Sequence, residues 1–311
     1  MFKTLRNAFK IKDIRKKLFF TFIALIIVRL GSQLPVPGID REYFGQWLGL
    51  QTSFGFLDTL TGGSFSQMSI FALGIGPYIT SSIIMQLLTI AIPKLEEMQK
   101  EGEDGRKKIQ KYSRYLTVGL AAIESVALSI SFGRSGILEA GSKFQMVVVI
   151  TAAFTAGTAF LMWLGERITD RGVGNGISII LLINIVSGMP GDFRKLNDQF
   201  VAGASSILNA IIAVIIIVAI IVGMTIFIVL LQEGQRKVPV QYTKKVQGRK
   251  MVGGQSSHIP LKVNTAGVIP VIFASSIMQF PIVIASFFGH EGSRSGSLGQ
   301  KILFSLNQNN W

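Results

Sequence analysis

Cysteine is absent from this chain of 311 residues, and histidine occurs only at His258 and His290. Disulfide and thiolate chemistry are therefore excluded. No grouping of histidine and carboxylate has the spacing of metal ligands, and no Ser-His-Asp arrangement is present. Charged residues make up only 15% of the chain. The sequence thus predicts no catalytic residue, no metal and no cofactor, and the protein is not expected to be an enzyme.

Long apolar runs, by contrast, are abundant. A hydrocarbon core of about 30 Å needs roughly 20 apolar residues per helix. Seven stretches approach this length, at residues 18–34, 70–92, 116–132, 144–164, 173–189, 207–231 and 263–288. The fifth is short enough to be a partial crossing instead. The pattern predicts an all-α, multi-spanning membrane protein.

The distribution of charge predicts the orientation of these spans. Lys and Arg number 31 against 17 Asp and Glu, and most of them lie in alternate gaps between the apolar stretches, beginning with residues 1–17. Basic gaps face the cytosol, so the N-terminus is predicted to be cytosolic. The net charge of +14 therefore follows the topology, and anionic lipid or a cytosolic partner explains it more simply than direct nucleic-acid binding.

The longest basic gap, residues 232–262, combines charge with alternating β-prone residues. Residues 238–242 alternate and "KMVGG" closes a second short run, which together predict a β-hairpin. Such a loop is most often a solvated flank. It is also suited to docking a large acidic partner, such as ribosomal RNA or a motor protein.

The outer gap at residues 35–69 contains a short apolar helix pattern. Its apolar face consists of Phe54, Phe56, Leu57 and Leu60. Gly62 and Gly63 are predicted to end this helix, which is too short to span a membrane. The pattern alone favours a surface loop over a helix folded back into the membrane.

The second and seventh stretches are unusually polar for spans. They read "FALGIGPYITSSIIMQLLTI" and "NTAGVIPVIFASSIMQFPIVIASFF". Small and hydroxyl residues allow close packing, and each interhelical polar contact contributes only about 0.6–2 kcal/mol. Two helices held this weakly are able to separate. Routine packing within a bundle is the alternative interpretation.

Two charges lie inside predicted spans, Arg29 in the first and Glu124 in the third. Intramembrane charges often line a transport path, so a secondary transporter using Arg29 and Glu124 is the alternative function. A structural ion pair, or two residues near the membrane interface, would explain them equally well.

Read from end to end, the chain resembles the SecY/Sec61α family, the channel subunits of the protein translocase, and most closely its bacterial form. The resemblance covers residues 31–277 and rests on "GSQLPVPGID", "FALGIGPYITSSIIMQLLT", "KEGEDGRKKIQKYSRY", "LMWLGERITDRGVGNGISI", "GQRKVPVQY" and "QSSHIPLKVNTAGVIPVIFASSI". It implies an inverted-repeat helical channel of ten spans, of which this chain would hold about seven. The expectation is a C-terminally truncated or fragmentary chain.

The resemblance also implies site residues. A ring of aliphatic side chains that closes the pore would consist of Ile75, Ile79, Leu181 and Ile272. The segment at about residues 53–66 becomes the plug helix, which reverses the preference for a loop. A lateral gate between spans 2 and 7 would use Thr80, Ser82, Gln86, Asn264 and Ser276. Docking of the motor or ribosome would involve Arg249 and Lys250.

The implied function is a passive protein-conducting channel in the bacterial cytoplasmic membrane, which releases signal sequences and transmembrane helices sideways into lipid. The expected partners are SecE-like and SecG-like small subunits, the SecA motor ATPase, the ribosome, the translocating preprotein with its signal sequence, and membrane lipids. Nucleic acid would enter only as ribosomal RNA. The expected divisions are a basic N-terminus (1–17), an N-terminal half with spans 1–5 (18–189) and a partial C-terminal half (190–311).

Overall fold

The structure is a computed structural model. It describes residues 9–40, 44–45, 55–134, 136–137, 143–203, 207–240, 245–247, 250–252, 257–265, 267, 274 and 277–278. The chain divides into two compact units, Gly191–Ile272 and the remainder, Met1–Pro190 with Phe273–Trp311. Each unit is described by itself.

Helices dominate the described residues up to Pro190. They are, in chain order, α1 (Lys12–Gly31), α2 (Gly55–Thr61), α3 (Gly76–Ala91), α4 (Pro93–Lys100), α5 (Glu103–Arg134), α6 (Lys143–Arg171) and α7 (Gly176–Leu196). Pro190 lies inside α7, which continues as a π-helical turn over Asn197–Ala202. The short fifth apolar stretch therefore belongs to a helix that is long and apolar enough for a full crossing.

Within the part of the chain that the structure describes, four helices are long and apolar enough to cross a membrane. A fifth crossing is added if α3 and α4, bent by 101° at Ile92, form one broken span. Helix α1 overlaps the predicted first span but is not among the four. The predicted seventh span, residues 263–288, lies mostly outside the described residues.

The second predicted span is shorter than its apolar run. Residues 70–75 form turns, and the helix begins only at Gly76, with Pro77 in its first turn. Gly74 has a φ of +58°, which a right-handed helix does not allow. Hydropathy alone would place the start of α3 six residues earlier. The backbone conformation at Gly74 therefore sets where the helix begins.

Two apolar clusters hold this unit together. The first joins Phe44, Phe65 and Met68, which lie between α1 and α3, to Phe132 of α5 and Phe154 of α6. Phe44 makes edge-to-face contacts with Phe65 and Phe132, at centroid distances of 5.7 and 5.5 Å. The loops on this side of the unit are therefore anchored in its core.

The second cluster joins α1, α3, α6 and α7. It contains Val28, Phe71, Ile75, Leu161 and Ile180, all buried. Close approach of the backbones supports it: a Cβ at Gly176 would collide with the carbonyl oxygen of Gly165, so position 176 suits only the smallest residue. Small residues at helix crossings are typical of membrane bundles.

The Gly191–Ile272 unit contains α8 (Ile207–Glu233) and a β-ribbon. Strand β1 (Gln235–Val240) pairs antiparallel with β4 (Ser257–Lys262). Between them, β2 (Lys245–Gln247) pairs antiparallel with β3 (Lys250–Val252). The β-hairpin predicted in the basic gap is thus confirmed.

Candidate functional site

Two of the predicted pore-ring residues lie together in the second cluster. Ile75 is 3% exposed, and Ile79 packs against the cluster half-buried. The backbone N–H of Ile79 donates to the carbonyl of Ile75 at 3.1 Å, so the two residues are one helical turn apart. Leu181 is half-buried and follows Ile180, a member of the cluster. Ile272 lies outside the described residues.

The short helix predicted after residue 53 is present as α2. Gly62 and Gly63 end it with φ values of +66° and +81°, as predicted. Its terminus is also held by Asp58, whose Oδ1 accepts from the N–H of Ser66 at 2.8 Å. Leu60 is half-buried; Phe54 lies outside the described residues.

The end of α2 is enclosed by three other elements. A Cβ at Gly62 would lie 2.6 Å from the carbonyl oxygen of Asn184 in α7, and one at Gly74, before α3, would lie 2.9 Å from Cγ2 of Thr61. From α1, Nη1 of Arg29 donates to the carbonyl of Gly62 at 3.4 Å. The end of α2 therefore lies beside Ile75, in contact with α1 and α7.

Sequence reasoning missed Asn184 in this enclosure. Its side chain is 4% exposed, and its Oδ1 has no hydrogen-bond partner among the described residues. The available signal was an asparagine in the middle of the apolar run "LLINIV". A buried polar group inside a span is unusual enough to indicate a site.

The predicted gate residues of α3 are arranged along the helix with increasing exposure. Thr80 and Ser82 are half-buried, and Gln86 is exposed. Asn264 is also exposed, and its Oδ1 accepts from the N–H of Gly267 at 3.0 Å. Ser276 lies outside the described residues. The gate assignment stays a prediction.

A hydroxyl contact that the sequence analysis did not identify attaches α3 to α5. Ser81 Oγ lies 2.5 Å from Oγ1 of Thr117 and 3.3 Å from Oγ of Ser113, and all three residues are buried. Ser81 stands between the predicted gate residues Thr80 and Ser82. Adjacent residues of a helix point in different directions, so Ser81 faces α5 while Thr80 and Ser82 do not share its face.

One of the two predicted docking residues, Lys250, falls in the β-ribbon. Lys250 begins β3 and pairs with Gln247, whereas Arg249 lies outside the described residues. The flanking ladder is basic, with Arg236 and Lys237 on β1 and Lys262 on β4. Its residues are exposed except the last of β1.

Solved structures share this fold. One described as the structure of a protein-conducting channel aligns with a TM-score of 0.60 at 20% identity, covering 91% of this chain and 62% of that one. Sec61 in the canine ribosome-channel complex from the endoplasmic reticulum aligns with a TM-score of 0.58 at 20% identity, with the same coverages. The chain thus spans somewhat less than two thirds of the length of these channel subunits.

Sequence relatives are closer. The SecY family model matches residues 69–309. The protein translocase subunit SecY of Halalkalibacterium halodurans is 45% identical over 299 residues, covering 94% of this chain and 68% of the relative. That of Escherichia coli K12 is 45% identical over 284 residues, covering 89% and 63%. These comparisons give no support to the secondary-transporter alternative, and they show that the chain belongs to the SecY family.

Proposed function

We propose that this chain forms the central pore of a protein translocase, a passive channel that passes unfolded polypeptides across a membrane and has no catalytic residue of its own. The observation that carries the proposal is the enclosure of α2 beside Ile75. A short helix that does not span the membrane is held beside Gly74, the residue directly before Ile75, which the family resemblance assigns to the pore. This is the arrangement a closed channel requires.

The aliphatic ring suits the task physically. Side chains such as Ile75 and Ile79 cannot hydrogen-bond to water, so a constriction that they line excludes water and ions. The same side chains yield to a passing polypeptide because they make no directional contacts. We assign Leu181 and Ile272 to the same ring.

Sideways release would occur between α3 and the span predicted at residues 263–288. We assign Thr80, Ser82, Gln86, Asn264 and Ser276 to this lateral gate. Polar contacts between spans are individually weak, so a hydrophobic signal helix that binds the open form better shifts the equilibrium toward it.

The basic β-ribbon is the proposed dock for a SecA-like motor or a ribosome, with Arg249 and Lys250 as contacts. A two-stranded ribbon is only marginally stable alone. Exposed strands carrying several cations are therefore suited to gain order and binding energy from an acidic partner. SecE-like and SecG-like subunits would complete the assembly in the bacterial cytoplasmic membrane, with the N-terminus of this chain in the cytosol.

Ion leak through the resting channel tests the pore assignment. In the full-length protein reconstituted into liposomes, Ile75 and Ile79 are both replaced by glycine. We expect ion flux to rise because the constriction no longer excludes water. The matched control replaces Leu87 and Ile90, which are exposed on the same helix, with glycine. Equal flux from both double variants, or no rise in either, would count against the proposal.

A further inference from the structure

A candidate hinge follows α2 directly. It consists of Gly62 and Gly63 and is called the joint below. On one side, Thr59 of α2 is exposed and Leu60 half-buried. On the other side, Phe65 and Met68 are fully buried in the first cluster. Gly62 and Gly63 lie between, both with positive φ. Because glycine is the residue most tolerant of backbone rotation, a movement of α2 relative to the bundle would be centred on these two residues.

The joint is held where it meets α7. A Cβ at Gly62 would lie 2.8 Å from both the Cα of Asn184 and Oγ of Ser187, so the backbone of Gly62 rests directly on α7. A Cβ at Gly63 would meet nothing nearer than Oγ of Ser66 at 3.9 Å. The two glycines thus share a left-handed backbone conformation, but Gly62 rests against α7 whereas Gly63 does not.

Arg29 adds a charged contact to the same joint. Its guanidinium donates to the carbonyl of Gly62, and it is half-buried within the first predicted span. Cations at such depth usually pair with an acid or a backbone carbonyl. A hydrogen bond from a charged donor is roughly twice as strong as a neutral one. Gly62 therefore receives a hydrogen bond from a charged donor, 3.4 Å long, that links α1 to the joint.

The position of Arg29 is fixed by its own surroundings. Ser32 Oγ donates to the carbonyl of Arg29 at 2.7 Å, and Gly31 lies directly against the ring of Phe71. Beyond the helix, the N–H of Ile70 donates to the carbonyl of Leu34 at 3.0 Å. The end of α1 is thus attached to the segment that leads into α3, which positions the backbone of Arg29 near the joint.

We propose that Arg29 is a latch: its guanidinium holds the carbonyl of Gly62 and thereby keeps α2 in the closed position, with α7 as the opposing surface. This rests on the proposed channel function and adds a positioning residue to it. Helix α2, the proposed plug, rotates away from the bundle about Gly62 and Gly63 when water replaces the guanidinium of Arg29 as the hydrogen-bond donor to the carbonyl of Gly62. An opened channel supplies that water, so opening weakens the latch further.

Thiol labelling tests the latch without relying on channel activity. The chain has no cysteine, so Thr61→Cys introduces its only thiol, at a residue 3% exposed. In the reconstituted channel, Arg29→Gln should raise the rate at which a water-soluble maleimide labels this position by about tenfold, as expected for losing a charged hydrogen bond. Arg29→Lys should give a smaller rise. Thr89→Cys, also buried, should label at an unchanged rate in the same backgrounds.

Ion leak supplies the second measurement. Arg29→Gln and Gly62→Ala should both leak more ions than the parent channel. Their matched controls, Arg171→Gln and Gly63→Ala, should leak less than Arg29→Gln and Gly62→Ala respectively. Gly63→Ala carries the same left-handed strain as Gly62→Ala without the contact to α7. Equal leak from the two alanine variants would overturn the role of α7.

Different experimental outcomes would contradict the latch proposal and the channel proposal. Unchanged labelling and leak in Arg29→Gln, together with a leak in the Ile75 and Ile79 double variant, would overturn the latch and leave the channel standing. Faster labelling without leak in any variant would support the latch and overturn the channel. Should Arg29→Gln fail to fold, Arg29→Lys and Gly62→Ala carry the same comparison.

Discussion

Helices α5 and α6 and helix α8 are all apolar enough to span a membrane, but they differ in how they are buried. In α5 and in α6, 39% of the most apolar window is buried against the rest of the protein. In α8, which is the most apolar of the spans in the described residues, none of the window is buried. Among the long apolar helices that the structure describes, the one with the strongest hydropathy therefore has the smallest buried share.

Residue type explains the difference. The buried face of α5 carries Ser113, Thr117, Ser125 and Ser129, whereas α8 is almost entirely Ile, Val, Ala and Leu. Lipid chains are as apolar as leucine, so an aliphatic side chain gains little by leaving lipid for protein. Small and hydroxyl residues gain close approach and hydrogen bonds. Within the unit that holds α5 and α6, small polar residues therefore indicate where helices meet each other.

The largest effect should come from filling a glycine. Gly157 of α6 lies directly against the carbonyl of Ile70, whereas Gly223 of α8 has nothing within 4 Å. Gly157→Leu should lower stability by about 3 kcal/mol because the backbones must separate. Gly223→Leu should be neutral or stabilising by up to about 1 kcal/mol, since leucine favours the helix. The midpoint of thermal unfolding in detergent measures both, and equal losses of stability would contradict this interpretation of the two helices.

An intermediate effect should come from hydroxyl groups. Thr117 contacts Ser81 of α3, whereas Oγ1 of Thr225 donates only to the carbonyl of Ile221 in its own helix. Thr117→Val should cost about 1 kcal/mol, and Thr225→Val no more than about 0.3 kcal/mol. Unfolding in mixed micelles with increasing dodecyl sulfate would measure the two. A larger loss at Thr225 would contradict the interpretation.

The smallest effect should come from an ion pair at the basic end of α5. Arg114 Nε lies 2.7 Å from Oε1 of Glu166, which also accepts from Gln110 at 3.4 Å. Glu166→Gln should cost about 0.5–1 kcal/mol at low salt, because Arg114 is partly exposed and its charge is screened. Raising the salt from about 0.05 M to about 1 M should remove most of that cost.

The control for this pair is Asp170→Asn, one helical turn further along α6 and exposed. It should leave stability unchanged at either salt concentration. A loss at Glu166 that persists at high salt would instead indicate packing of the side chain, and the polar end of the bundle would then resemble its hydroxyl interior.

Hydropathy predicted where the helices lie along the chain better than it predicted how long they are. Residues 116–132 were predicted to span, but α5 extends from Glu103 to Arg134. Backbone hydrogen bonds continue through charged residues outside the apolar region, and hydropathy does not report them. The start of α3 at Gly76 depends on the positive φ of Gly74, which no periodicity reveals.

Much less of the candidate site was predictable. The short helix and its glycine end follow from spacing, although pattern alone favoured a plain loop for it. The contact between Arg29 and Gly62 joins residues 33 positions apart, and Asn184 lies more than 100 positions further along. Only the packing of α1, α3 and α7 brings these groups together, because no local rule links residues on separate spans.

The sequence by itself determined that this is a membrane protein, where its helices lie and where its basic loops cluster, because the energy of apolar residues in lipid and of charges in water is local to each segment. The resemblance in its motifs indicated the family. The tertiary structure alone decided that Arg29 contacts the joint after α2, that Ser81 faces α5, and that Gly62 rests on α7. Those are contacts between distant segments, and their geometry exists only after the helices have packed.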